Sequence, residues 1–110
     1  MISLHVYLTP KNGNEKVLEA SVRNKWMAAM SKQPGFLSGA MIKPYSDQEL
    51  EKLSAAKPCS PYEVVSFWES EKERLEWVAR PIHDQVFSQV LDAAESVSYT
   101  LQTVEDSWNL

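Results

Sequence analysis

A chain of 110 residues, 44% hydrophobic and 24% charged, has the length of one compact domain and the composition of a folded one. Eleven Lys and Arg are outnumbered by fifteen Asp and Glu, a formal charge of -4 that repels a phosphate backbone and excludes nucleic acid as an expected partner. No apolar run approaches the roughly 20 residues that cross a bilayer, the stretch 1–8 lacks a basic flank and the single Cys59 has no thiol to pair with, so neither signal peptide nor membrane anchor is expected and a reducing, cytoplasmic compartment is.

Residues 2–8 alternate, with Ile2, Leu4, Val6 and Leu8 on one side and Ser3, His5 and Tyr7 on the other, which predicts a first strand. After the break at 10–14, Asn14 serves as an N-cap and the spacing turns helical: Leu18, Val22, Trp26 and Ala29 share a stripe with Met30 on its shoulder. Lys25 falls within that stripe, where its stem packs or its ammonium meets an anionic ligand. Pro34-Gly35 ends the helix and opens a second strand, Phe36 to Ile42. Residues 46–61 read as an inserted surface excursion with one short helix, begun by the capping-box pair Ser46 and Glu49 and broken by Pro58 and Pro61. A third strand runs from Glu63 to Glu69, with Val65 and Phe67 on one side and Val64, Ser66 and Trp68 on the other. Ser70 and Glu73 repeat the capping box ahead of a helix carried by Leu75 and Val78, and Pro81 kinks the chain near Arg80 before a new helical run from Ile82 to about Glu95. On that run Ile82, Val86, Gln89 and Ala93 share one stripe and His83, Phe87, Val90 and Ala94 the next. Val97 to Val104 forms the fourth strand, and 105–110 is an exposed tail with Trp108.

The order strand, helix, strand, strand, helix, strand predicts an α+β fold of the ferredoxin-like βαββαβ type with a four-stranded antiparallel sheet. Two helices cover one face of such a sheet. Bulky residues nevertheless occupy both parities, Ile2, Leu4 and Val6 against Tyr7, and Val65 and Phe67 against Trp68. An apolar face of that size calls for a homodimer packed sheet to sheet, a dimeric α/β barrel.

No phosphate loop, G-x-S-x-G, H-E-x-x-H or paired cysteines occur. The chemistry-bearing residues are aromatic and imidazole groups: His5 and Tyr7 on the first strand, Trp68 on the third, Trp77 and His83 around the Pro81 kink. Arched helices would let them line an apolar cleft for a small molecule. Each has a structural alternative. Trp26 and Phe87 lie on core stripes, Trp68 packs at a strand end or dimer seam, and Trp77 points away from Leu75 and Val78. His5 is either a hydrogen-bonded structural histidine or a pocket group, and His83 either satisfies the kinked backbone or faces the pocket. The mixed charges of 71–76 read as a solvated helix face, and Cys59 has no electropositive neighbour but Lys57 to activate it.

Pro34-Gly35-Phe36, and Phe67-Trp68-Glu69-Ser70 followed by Glu73, Trp77, Pro81 and His83, resemble the antibiotic biosynthesis monooxygenase (ABM) domains of the dimeric α/β-barrel superfamily over residues 2–104 without the insert. The resemblance implies a homodimer with a cleft between helices and sheet in each subunit, and, as in members acting on polyketide phenols and anthrones of secondary metabolism, oxidation of a small aromatic ligand by molecular oxygen with neither metal nor flavin. His83 or His5 would be the catalytic base, Trp68 and Trp77 apolar walls, Phe87 a further contact and Tyr7 a hydrogen-bond donor. A second branch degrades haem: Trp77 matches its helix Trp, but Phe87 stands where its iron-ligating His belongs and His5 near the place of its Asn. The remaining alternatives are a non-catalytic ligand-binding dimer, its cleft filled by Trp77 and Phe87, and an isomerase or cyclase. No cofactor is expected, with haem as the alternative, and no metal.

Overall fold

Alternation along β1 (Ile2–Pro10) decides which side of the sheet becomes interior: Leu4, Val6 and Leu8 are buried, whereas His5 and Tyr7 point the other way. In the computed structural model, which describes residues 1–110, β1 lies between β3 (Tyr62–Trp68) and β4 (Ala94–Thr103), and β2 (Phe36–Ile42) completes an antiparallel sheet of order β2-β3-β1-β4. With one helical region between β1 and β2 and another between β3 and β4, this is the ferredoxin-like α+β arrangement that the sequence predicts. Leu4 pairs across the ladders with Ser66 and Leu101, and Val6 with Val64 and Tyr99, so these residues share the helix-covered face. The opposite face carries Ser3, His5 and Tyr7, Glu63, Val65 and Phe67, and Thr100 and Gln102.

Packed on the covered face is one continuous rod: α1 (Glu15–Ser21), a π-helical turn at Val22–Trp26 and α2 (Met27–Met30). Its buried hydrophobic residues Leu18, Val22, Trp26 and Met30 are four apart, a spacing that drifts by about 40° per step on a helix of 3.6 residues per turn. The wider i→i+5 turn takes up that drift and keeps Trp26 and Met30 over the sheet. It also corrects two expectations: Met30 rather than Ala29 is the fully buried member, and Lys25 is rotated out of the stripe into solvent. Asn14 occupies the N-cap position, but only its backbone carbonyl takes part, accepting from Leu18 N–H at 2.9 Å.

Gly35, at φ +86°, turns the chain from the rod into β2, and its carbonyl accepts from Glu69 N–H at 2.8 Å. That bond ties the turn before β2 to the end of β3, just ahead of α4 (Glu71–Ala79), whose first turn is capped by Ser70. Arg80 is extended, as a residue preceding proline prefers, and α5 (Pro81–Ala93) begins with Pro81 at its first position, one residue ahead of the predicted Ile82. β4 starts at Ala94 rather than Val97, because Ala94 already pairs with Pro10 and the carbonyl of Ala93 accepts from Lys11 N–H. The short helix of the insert, α3 (Asp47–Lys52), forms with both capping-box bonds between Ser46 and Glu49, and none of its residues is buried.

Candidate functional site

The extended Arg80 splits the second helical region, and side chains of both α4 and α5 face β1 and β4 across an open space. A cleft of about 360 Å³ opens there, within the range that takes a small ligand. Its floor is Leu4 and Val6 of β1 with Val97 and Tyr99 of β4, and Trp26 and Met30 of the rod form one wall. Trp77, Val78 and Arg74 of α4, and His83, Phe87 and Leu91 of α5, form the other. Arg74 and His83 are the only basic side chains of an otherwise largely apolar lining, with the Tyr99 phenol as its one further titratable group.

Phase on α4 puts Arg74 and Trp77 inward. Both are buried, while Leu75 and Val78, the expected inner stripe, are half exposed. An indole, larger than either aliphatic side chain, gains more from burial, and a helix three residues earlier presents the Arg74 stem beside it. Arg74 donates from Nε and, at 3.0 Å, from Nη2 to the two carboxylate oxygens of Glu71 one turn back. The hydrogen bond from Arg74 holds the Glu71 carboxyl below the usual carboxylate range against the opposing effect of burial.

His83 sits in the first turn of α5 with its side chain 13% exposed. Its ring meets Trp77 edge to face at 5.1 Å and lies tilted against Phe87 at 5.4 Å. Phe87 in turn contacts Trp26 at 4.8 Å, so an aromatic chain runs from α4 across α5 to the rod. The Nδ1 of His83 is 3.4 Å from the exposed carboxylate of Asp84, a weak contact, and its Nε2 has no hydrogen-bond partner. An imidazole nitrogen free at an apolar wall can accept a proton from a bound ligand. The Nε1 of Trp26 is sealed in the wall without an acceptor, a cost of about 1–3 kcal/mol to the fold.

The cleft brings together His83, Trp77 and Phe87 of the residues singled out in the sequence, and leaves out His5, Tyr7 and Trp68. His5 and Tyr7 lie on the opposite face of the sheet, as they must once Leu4 and Val6 face the helices. There His5 Nδ1 is 2.7 Å from Glu63, its Nε2 is 3.0 Å from Ser3 Oγ, and the Tyr7 hydroxyl is 3.3 Å from Thr100. Trp68 shares the covered face but belongs to the solid core beside β2, donating from Nε1 to Ser66 Oγ at 3.0 Å and meeting Phe36 edge to face. The charge run 71–76 is not wholly solvated, since Arg74 turns into the cleft; its signal is the i, i+3 spacing to Glu71 on one side and Trp77 on the other. Phe87 offers no ligating atom, so the usual haem ligation at that helix position fails, and no three His, Cys, Asp or Glu side chains gather to hold a metal ion. The insert contributes nothing to the cleft.

No protein-family model matches the chain, and no curated protein does. Solved structures match its fold over nearly their whole length. SnoaB of Streptomyces nogalater, described as a cofactor-independent oxygenase, superposes in a single-substitution variant form with a TM-score of 0.76 at 12% identity, covering 99% of this chain and 97% of SnoaB. A Nitrosomonas europaea protein provisionally assigned as an antibiotic biosynthesis monooxygenase gives 0.72 at 12% identity, covering 96% and 100% of the two chains. A dimeric Bacteroides fragilis protein of unknown function and ferredoxin-like fold gives 0.70 at 9% identity, covering 94% and 95%. The fold expected from the ABM resemblance is therefore the fold observed.

Proposed function

We propose that the protein is an ABM-type, cofactor-independent oxygenase that oxidises a planar aromatic small molecule in the cleft between helices and sheet. The observation that carries this reading is His83: one imidazole, unpartnered at Nε2, against the aromatic rings of a wall whose only other basic side chain is Arg74. An anthrone bound between Trp77, Phe87 and the β1 floor would give up a proton from its methylene carbon to His83. The resulting carbanion, delocalised over the rings, is electron-rich enough to reduce oxygen directly. Its CH₂ becomes C=O, and the second oxygen atom leaves as water, so that one O₂ accounts for all four electrons. The apolar wall excludes water and holds the ring plane, while the base supplies the proton transfer.

Sharing a fold with SnoaB supports the reading, and an open cleft supports it over a binding-only protein whose Trp77 and Phe87 fill the space. The same reading includes a homodimer packed through the uncovered sheet face, where Tyr7, Val65 and Phe67 are half-buried and Ile42 is 48% exposed. The dimeric Bacteroides fragilis neighbour has the same fold. A free, exposed Cys59 suits a reducing compartment such as the cytoplasm, and no helix is long and apolar enough to cross a membrane.

The test is oxygen uptake with 1,8-dihydroxyanthrone and a panel of anthrones and hydroquinones. Uptake above the uncatalysed rate, lowered about a hundredfold or more by His83→Ala with little change in ligand affinity, is the expected result. Absence of uptake across the panel overturns the assignment.

A further inference from the structure

An arginine is rarely buried unless paired, and Arg74 is only 9% exposed in the wall of an apolar cleft. Its pairing is incomplete. Glu71 occupies Nε and one N–H of Nη2, which is one edge of the guanidinium fork. The other edge, both N–H bonds of Nη1 with the second N–H of Nη2, has no acceptor in the protein, and Nη1 is not among the sealed atoms. Glu71 itself is half in solvent, its side chain 45% exposed, so the salt bridge alone gives no reason for the guanidinium to be buried. It does fix the orientation of the group: with one edge clamped from the preceding turn, the free edge stays at the cleft wall beside Trp77. A planar fork with two parallel donors matches a carboxylate oxygen for oxygen.

We propose that Arg74 selects the ligand, and that the ligand is a planar aromatic acid whose carboxylate docks end-on against the free edge of the Arg74 guanidinium while its rings fill the apolar cleft. This rests on the reading of the cleft as the ligand site and narrows it to a substrate class. Arg74 is a specificity residue, at the wall opposite the rod, and Glu71 is its positioning residue. Anchoring at one rim also orients the rings, because an acid held at Arg74 presents its far carbons across Trp77 toward His83 rather than in an arbitrary rotation.

A matched pair of probes tests it: anthracene-9-carboxylate and 9-(hydroxymethyl)anthracene, titrated against the full chain with quenching of tryptophan emission as readout. The wild type binds the acid about tenfold to a hundredfold more tightly than the alcohol, the discrimination expected of a charge-assisted fork. Arg74→Gln brings the two affinities within about twofold, chiefly by weakening the acid, and Arg74→Lys, which keeps the charge but not the fork, restores only part of the preference. Glu71→Gln keeps the guanidinium but loosens the clamp on its orientation, so the preference for the acid narrows without vanishing; should Arg74→Gln not fold, a preference unchanged in both this variant and Arg74→Lys overturns the proposal. Equal affinities for the two probes in the wild type, or a preference that survives in Arg74→Gln, overturns the role of Arg74 and leaves the cleft reading standing. Failure of both probes to bind removes the cleft as a ligand site, and the present proposal with it.

Discussion

Two glycines with nearly the same backbone conformation offer a controlled measurement of what holds α4 in place. Gly13 has φ +82° and Gly35 φ +86°, and an alanine at either must adopt a left-handed conformation, at about 1–2 kcal/mol. Their surroundings differ. A Cβ at Gly13 meets nothing within 4 Å, whereas one at Gly35 comes within 2.5 Å of both Cβ and Cγ of Glu73. Carbon atoms settle at about 3.5–4.0 Å, so the overlap is about 1 Å, and relieving it moves the first turn of α4, with Glu73 and Arg74 on it and Trp77 on the next turn. Overpacking of this kind costs about 1–3 kcal/mol beyond the backbone term. Gly35→Ala is therefore expected to lose about 2–5 kcal/mol, and Gly13→Ala only the conformational part. Thermal melts followed by circular dichroism at one protein concentration should place Gly35→Ala about 4–12 °C below Gly13→Ala, at about 4 °C per kcal/mol for a chain of this size. Equal melting temperatures for the two variants would refute the argument, since they would mean that Gly35 serves only its backbone conformation and does not brace the helix that walls the cleft.

Tyr62 donates its hydroxyl to Glu19, joining β3 to the rod. Burial, reinforced by that bond, pushes its pKa from 10.0 up to about 12, so its contribution is complete below pH 10 and is lost as pH rises through about 12. Tyr62→Phe should cost about 1–2 kcal/mol at pH 7 in urea melts, and the alkaline loss of stability expected of the wild type should flatten in the variant. The ring of Phe87, half-buried between Trp26 and His83, is worth less than a fully enclosed one: Phe87→Ala is expected to cost about 1–3 kcal/mol in denaturant while enlarging the cleft, read as tighter binding of bulkier aromatics. Trp68→Phe removes the bond to Ser66 and part of the core, about 2 kcal/mol, but should leave the affinity for cleft ligands unchanged, because Trp68 does not line the cleft.

The residues of the cleft were legible to different degrees. His83 and Trp77 flank a proline kink, and a kink is a local event that the sequence announces. Arg74 was not legible as a cleft residue, since a run of alternating charges looks solvated until the helix carrying it is laid against a sheet. His5 and Tyr7 illustrate the converse. Their parity on β1, opposite to Leu4 and Val6, already excluded them from the helix-side cleft, and the expectation set that periodicity aside in order to gather aromatic groups into one place.

By itself the sequence determined the order of the strands and helical runs, because period two, the helical period, the capping boxes at Ser46 and Ser70 and the breaks at Pro34-Gly35 and Pro81 are all set by neighbours within a few residues along the chain. It also determined where one strand or helix yields to the next, to within three residues. Only the tertiary structure decided the rotation of each helix about its own axis: the π-turn that lifts Lys25 away from the sheet and the phase of α4 that buries Trp77 with Arg74 instead of Leu75. Rotation of a helix is a competition between faces for the same sheet, settled by packing between segments far apart in the chain, and the cleft exists where that competition left the faces of α4, α5 and the rod unable to close over β1 and β4.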